Sequence, residues 1–140
     1  SAAALERAKF VAHSAGRQVA AFFEDHDVLL TSTLAQPPVL VGSQLPTAAE
    51  RAQLSALRVL PLKSLLDVAL DKMGKDKLAA VPNTQLFNQT GQPVASVPLF
   101  WNQAGLPIGV QIVGRFGDEA KLFRLGAQLE EARPWAGRRP

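Results

Sequence analysis

A serine becomes a nucleophile only beside a base that takes its proton. A lysine becomes that base only when burial or neighbours lower its pKa. The serines of this chain sit in other settings. Ser14-Ala15-Gly16 lies inside a helical pattern, Thr31-Ser32-Thr33 contains no glycine, and Ser96 stands in a strand-like run just before Pro98. Lys63-Ser64 opens a helix, where capping accounts for the serine. His13 and His26 have no acid or serine constellation around them, and a metal site or a histidine relay needs three converging partners. His13 reads as a helix-surface residue, and His26 as a helix-end residue that can meet terminal carbonyls. Asp67 and Asp71, four apart, could serve acid–base work but fit a solvated helix face better. Gly105, Gly109 and Gly114 fall in a hairpin and never open a helix after a strand, which excludes a dinucleotide fingerprint. No catalytic residue, cofactor site or metal ligand is assigned.

The elements that would position any site are readable from spacing. From Ala2 to about Glu24, Leu5, Ala8, Val11, Ala12, Ala15, Val19 and Phe22 recur at three- and four-residue intervals, which predicts a helix. Val28-Leu29-Leu30 predicts a short buried strand, and Gln36-Pro37-Pro38 an extended loop. Thr47-Ala48-Ala49-Glu50 is a capping box that opens a helix to about Val59. Pro61 breaks that helix or begins the next. Leu62 to Met73 forms a second helix with a stripe of Leu62, Leu65, Leu66, Ala69, Leu70 and Met73, stopped at Gly74. Lys75 to Lys77 is a polar connector, and Leu78 to Phe87 fits either a loop or a short helix. Asp118 caps the last helix, striped by Leu122, Leu125, Leu129 and Ala132 and stopped by Pro134.

Bulk composition bounds the class. The 140 residues suit a single domain spanning 1–140, and 47% apolar with 19% charged residues is globular rather than disordered. No apolar run reaches the roughly 18 residues of a membrane span, so no membrane partner is expected. With no signal peptide visible, a cytoplasmic location is the default. No cysteine is present, which excludes disulfides and thiolate metal sites. The formal charge of +3 owes much to Arg133, Arg138 and Arg139, a short basic end that reads as a solvated terminus rather than a nucleic-acid surface.

The stretch from Leu86 to Gly114 organises the rest. Val94 to Trp101 and Leu106 to Val113 flank Asn102-Gln103-Ala104-Gly105, the pattern of a β-hairpin. In the second run Ile108, Val110 and Ile112 fall on one side and Gly109, Gln111 and Val113 on the other, which predicts a strand with one strongly apolar face. Pro93, Pro98 and Pro107 belong at strand starts, edges or bulges.

Asn88-Gln89-Thr90-Gly91-Gln92-Pro93, then Ser96-Val97-Pro98, then Gly105 to Gly114 resemble the C-terminal signature of the amidase signature family. The likeness continues into Phe116-Gly117-Asp118-Glu119-Ala120. Asp27 to Thr33 resembles another landmark of that family, a buried strand usually ending Thr-Pro-Thr, with Ser32 here at the proline position. The resemblance runs from about Leu5 to Pro134 and is loosest between Val39 and Ala80.

That resemblance implies an α/β fold: the C-terminal part of the amidase signature fold, with helices packed on a small mixed sheet around a central hairpin. The family hydrolyses amides with a Ser–cis-Ser–Lys triad set in Gly-Ser-rich loops. This chain has no such loop, so the resemblance implies a C-terminal segment, inactive alone, whose partners are the remainder of an amidase chain and a small amide substrate. By the same resemblance Asn88, Thr90, Gly91, Gln92 and Pro93 take the places of a turn close to the catalytic serines. They serve there as substrate pocket or as scaffold, and Asn, Gly and Pro are also ordinary turn formers. Phe100 and Trp101 read as a specificity wall or as core. The family's tRNA amidotransferase subunits carry an aspartate where Val81 stands, and an apolar residue cannot hold an ammonium group, so the resemblance disfavours glutamine-dependent amidotransferase activity; the run from Pro98 to Asn102 and the continuation from Arg115 to Ala120 resemble broad bacterial amidases, including those of the nylon-oligomer type. Asn83 replaces the usual Phe before Thr84. The alternative is a stand-alone, non-catalytic binding module. Its apolar stripes and strand edges would need partners, homo-oligomerisation or strand exchange among them.

Overall fold

In the computed structural model, which describes residues 1–43, 45–59 and 63–138 and omits the side chains of residues 65, 72, 73, 76 and 77, five helices and three strands follow one another. They are α1 (Ala2–Asp25), β1 (Val28–Ser32), α2 (Ala48–Val59), α3 (Lys63–Leu78), α4 (Thr84–Thr90), β2 (Val94–Trp101), β3 (Pro107–Gly114) and α5 (Glu119–Ala132). The chain divides into two units. One holds Ser1–Leu34 and Pro82–Pro140, and the other Ala35–Val81.

In the first unit the predicted hairpin forms. Asn102 donates its backbone N–H to Leu106 O (2.9 Å), Gly105 N–H reaches Asn102 O (3.0 Å), and the Asn102 side chain accepts from Leu106 N (2.9 Å). Gly105 has φ +77°, a conformation an L side chain resists. β3 is the middle strand, with β1 and β2 at the edges. All three strands run antiparallel, so the expected mixed sheet is antiparallel here. Between the pairs Val97↔Val110 and Phe100↔Ile108, β2 carries one more residue than β3, and Pro98 falls in that bulge, where its missing N–H costs no ladder bond.

Both faces of β3 are covered near its end, where the sequence suggests one apolar face. Ile112, Val97 and Leu122 form a cluster on the α5 side, joined by Leu125 and Leu129 of the predicted α5 stripe. Val113, fully buried, packs with Phe23 of α1 and Phe87 of α4 on the other side. The second face is apolar only where α1 and α4 lie over it, so two-residue alternation alone does not reveal it. Arg115 donates to the Phe23 carbonyl at the end of α1, and His26 Nδ1 meets Phe22 O (3.0 Å) while its ring stacks on Phe22. These contacts satisfy terminal carbonyls and fix α1 against the sheet.

Several expectations shift. The N-terminal stripe members Leu5 and Val11 are exposed, and the buried anchor of α1 is Phe23. β1 is only half-buried. Leu30 is 59% exposed, because β1 is an edge strand and Val28, not Leu30, joins the α5 cluster. Asp118 occupies the N-cap of α5 but makes no side-chain cap bond, since its carboxylate turns to Lys121 (3.4 Å). Arg133 lies over the Phe100 ring (4.8 Å) and Arg138 over the Trp101 ring (5.5 Å), so both tail arginines rest on aromatics while staying exposed.

In the second unit the capping box forms as predicted: Thr47 N–H donates to Glu50 Oε2 (2.7 Å) and Glu50 N–H to Thr47 Oγ1 (3.2 Å). Ala35 N–H to Ala80 O (3.0 Å) ties the ends of the unit together. α3 runs through Gly74 and on to Leu78, so the predicted stop does not operate; a helix interior absorbs one glycine for about 1 kcal/mol. The expected break at Pro61, the start at Leu62, the stripe side chains of Leu65 and Met73, and Arg139 lie outside the described residues.

Candidate functional site

The segment Asn88 to Pro93 is the end of a helix and its cap rather than a free turn. α4 starts at Asn83, whose Nδ2 donates to Ser32 O (3.0 Å) and Ser32 Oγ (3.1 Å). Gln111, 1% exposed, donates through Nε2 to Thr31 Oγ1 (3.1 Å) and Asn83 O (3.4 Å). The amides of Asn83 and Gln111 therefore pin the start of α4 onto β1 and β3. A buried amide left without such partners would cost about 1–3 kcal/mol, so the pair fixes the helix strongly.

The other end of α4 is closed by glycine. Gly91 has φ +79°, and its N–H reaches Phe87 O (2.9 Å), a left-handed C-cap. The Phe116 ring lies over it: a Cβ at Gly91 would sit 3.3 Å from a ring carbon. Thr90 Oγ1 donates to Leu86 O (3.0 Å) and also meets the side-chain amide of Gln92, which is buried. Pro93 O accepts from Gly114 N (3.0 Å), which joins the segment to the end of β3.

Of the five predicted residues, the fold brings Thr90 and Gln92 into one place. With Phe116 and one side of α1 they line a groove of about 400 Å3. Gly91 and Pro93 shape the chain between them. Asn88 points from the exposed side of α4 and does not line the groove. Phe100 is half-exposed and Trp101 half-buried near the hairpin tip, under their arginines, so neither is core.

Two residues from separate motifs, Thr33 and Ser96, come together in a way their spacing does not reveal. The hydroxyls of Thr33 and Ser96 meet at 2.7 Å across β3, above Gly109. A Cβ at Gly109 would lie 2.8 Å from Thr33 Oγ1 and 2.9 Å from Ser96 Oγ. Only glycine lets the two edge strands clasp over the middle one. A lone glycine inside an alternating apolar strand was the available signal.

None of these groups makes a nucleophile. Among the described residues, Ser96 meets Thr33, Ser32 meets Asn83, and Ser14 accepts from Arg17. Lys9, Lys75 and Lys121 each hold a carboxylate instead. The hydrogen bond to Asp27 raises the Lys121 pKa, opposing the effect of burial, and keeps the ammonium charged, the reverse of what a base requires. The hydrogen bond from Lys121, followed by its charge, holds Asp27 below the usual carboxylate value. Among the described residues no group of three or more His, Cys, Asp or Glu could hold a metal ion, and no helix is long and apolar enough to cross a membrane.

Comparison with known proteins follows the same geometry. AmiB2 of Mycobacterium tuberculosis (strain ATCC 25618 / H37Rv), which carries the name of an amidase, is 38% identical over 138 residues, covering 99% of this chain and 25% of that protein. The 6-aminohexanoate-cyclic-dimer hydrolase of Paenarthrobacter ureafaciens is 52% identical over 54 residues, 39% of this chain and 11% of the enzyme. The solved structure of a 6-aminohexanoate cyclic dimer hydrolase complexed with substrate superimposes with a TM-score of 0.67 at 28% identity, over 89% of this chain and 23% of that one. The chain thus spans about a quarter of the relatives it matches along most of its length. With the Amidase family model matching residues 1–123, the chain belongs to the amidase family.

Proposed function

We propose that this chain supplies the C-terminal part of an amidase whose Ser–cis-Ser–Lys triad lies upstream of these residues. The observation that carries the reading is one of coverage. The chain aligns along 99% of itself with only 25% of AmiB2, while the side chains of Ser96, Ser32 and Ser14 meet threonine, asparagine and arginine rather than a lysine. In the whole enzyme a serine is acylated by a small carboxylic amide, amine or ammonia departs, and water hydrolyses the ester. Thr90, Gly91, Gln92 and Pro93 then act first as scaffold: they hold the end of α4 and the start of β2 in one geometry near the reacting groups. The remainder of the amidase is the partner of this chain. The likeness to 6-aminohexanoate-cyclic-dimer hydrolases supports linear or cyclic aliphatic amides as the substrate class.

The test is amide turnover by the purified 140-residue chain, combined with labelling by a serine-directed fluorophosphonate. The reading predicts neither hydrolysis nor labelling. Turnover that survives purification and disappears in Ser96→Ala or Ser32→Ala would overturn it.

A further inference from the structure

Lys9, His13 and Arg17 recur every four residues on α1 and so stand on one side of the helix. They rim the groove of about 400 Å3 whose opposite wall is Thr90, Gln92 and Phe116. Between the walls α1 presents Ala12, Gly16 and Ala20, also four apart, which leave a shallow apolar floor. Gly16 lies within ordinary contact of the Thr90 methyl, 3.8 Å from where its Cβ would be, so the two walls meet without filling the groove. Phe116 closes one side and remains 71% exposed.

The charges in this groove are unequal. Lys9 already holds Glu6 at 2.9 Å. Arg17 donates to Ser14 Oγ (2.9 Å) and has no carboxylate partner among the described residues. Its guanidinium carries several more N–H donors in a fork that matches a carboxylate. A guanidinium without a carboxylate partner, on the wall of a groove with an apolar floor, suits a single negative charge on an apolar body. A multiply charged anion would need more free cations.

We infer that this groove binds a short aliphatic carboxylate. Its carboxylate lies on Arg17, and its alkyl chain lies along the Ala12–Gly16–Ala20 floor toward Phe116. An acid of this kind is what cleavage of a linear aliphatic amide releases, a link that rests on the proposed amidase function; the binding itself does not.

The experiment titrates hexanoate into the 15N-labelled 140-residue chain at constant ionic strength and follows Gly16, Arg17, Thr90 and Gln92. Hexanamide and inorganic phosphate serve as controls. The expected result is a set of saturable shifts confined to the groove, with a Kd on the order of 1 mM for one charged contact in an open site. Hexanamide binds at least about tenfold more weakly, because the charge-assisted fork is lost. Arg17→Gln weakens hexanoate by about tenfold with resonances elsewhere unchanged, and Arg17→Lys falls between. The inference is overturned by the absence of saturable shifts, by an equal response to hexanamide, by phosphate reproducing the hexanoate pattern, or by undiminished binding in Arg17→Gln. None of those outcomes touches the amidase reading, whose readout is turnover.

Discussion

The two units are built on different terms. In Ser1–Leu34 with Pro82–Pro140, partners distant in sequence meet: Phe23, Phe87 and Val113 on one face of the sheet, and Val97, Ile112 and Leu122 on the other. In Ala35–Val81 no described residue is buried, and Leu54, Val59, Val68 and Leu70 stand exposed on helices that local signals explain. The first unit is held by burial around one middle strand. The second is held by a capping box, helix propensity and the bond that ties its ends. The contrast teaches that the motif-bearing residues sit where non-local packing is densest, while the helices of the other unit keep apolar stripes without cover among the described residues.

The largest effect should come from the middle strand. Ile112→Ala removes a side chain 1% exposed and should destabilise the chain by about 2–5 kcal/mol in urea denaturation, whereas Leu54→Ala on α2 should cost below about 1 kcal/mol. Equal costs would erase the distinction between the units. Next is Gly109→Ala, which drives a methyl into the Thr33–Ser96 clasp and should cost about 1–3 kcal/mol. Adding Ser96→Ala should return part of that loss, and a double variant no better than the single would show that the clasp is not the obstacle.

Thr47→Ala should remove about 1 kcal/mol from α2 through its cap. Amide exchange should quicken in Ala48–Val59 and leave β3 unchanged; unchanged exchange in Ala48–Val59 would mean that the cap does not hold α2, and loss of protection in both segments would mean that their stabilities are coupled.

The smallest effect is the pH response of the Asp27–Lys121 pair, which ties β1 to α5 at 2.8 Å. The folded pKa of Asp27 lies below its unfolded value, so its contribution is present above about pH 4 and fades as pH falls through the depressed folded value. The pKa of Lys121 is raised, so its share is complete below about pH 10 and is lost as pH rises through the folded value. Asp27 is exposed, so added salt should shrink the effect and Asp27→Asn should remove a small part of the acid limb of a stability–pH profile. An unchanged acid limb in that variant would remove the pair from the account.

Much of this fold was legible because its signals are local. Alternation and Asn102 to Gly105 announced the hairpin, Thr47 and Glu50 the capping box, and Pro98 a strand start, edge or bulge, of which the bulge on an edge strand is found. What stayed hidden depends on partners far along the chain. The second apolar face of β3 exists only because Phe23 and Phe87 arrive from other helices, and Gln111 is buried only because Thr31 and Asn83 accept its protons. The candidate site was half legible. The Asn88 to Pro93 motif marked the segment, but its helical C-cap geometry appears only once Phe116 covers Gly91. The part played by α1 in the groove had no motif at all, since Lys9, His13 and Arg17 look like an ordinary polar helix face until Thr90 and Gln92 lie opposite.

The most direct test of the central claim is a chimera in which this chain replaces the matching quarter of Mycobacterium tuberculosis AmiB2, assayed for hydrolysis of a small amide. The account predicts a folded enzyme with measurable turnover that depends on the serines of the AmiB2 part and on none in this chain. A folded chimera without turnover, or turnover that requires a serine of this chain, would contradict it.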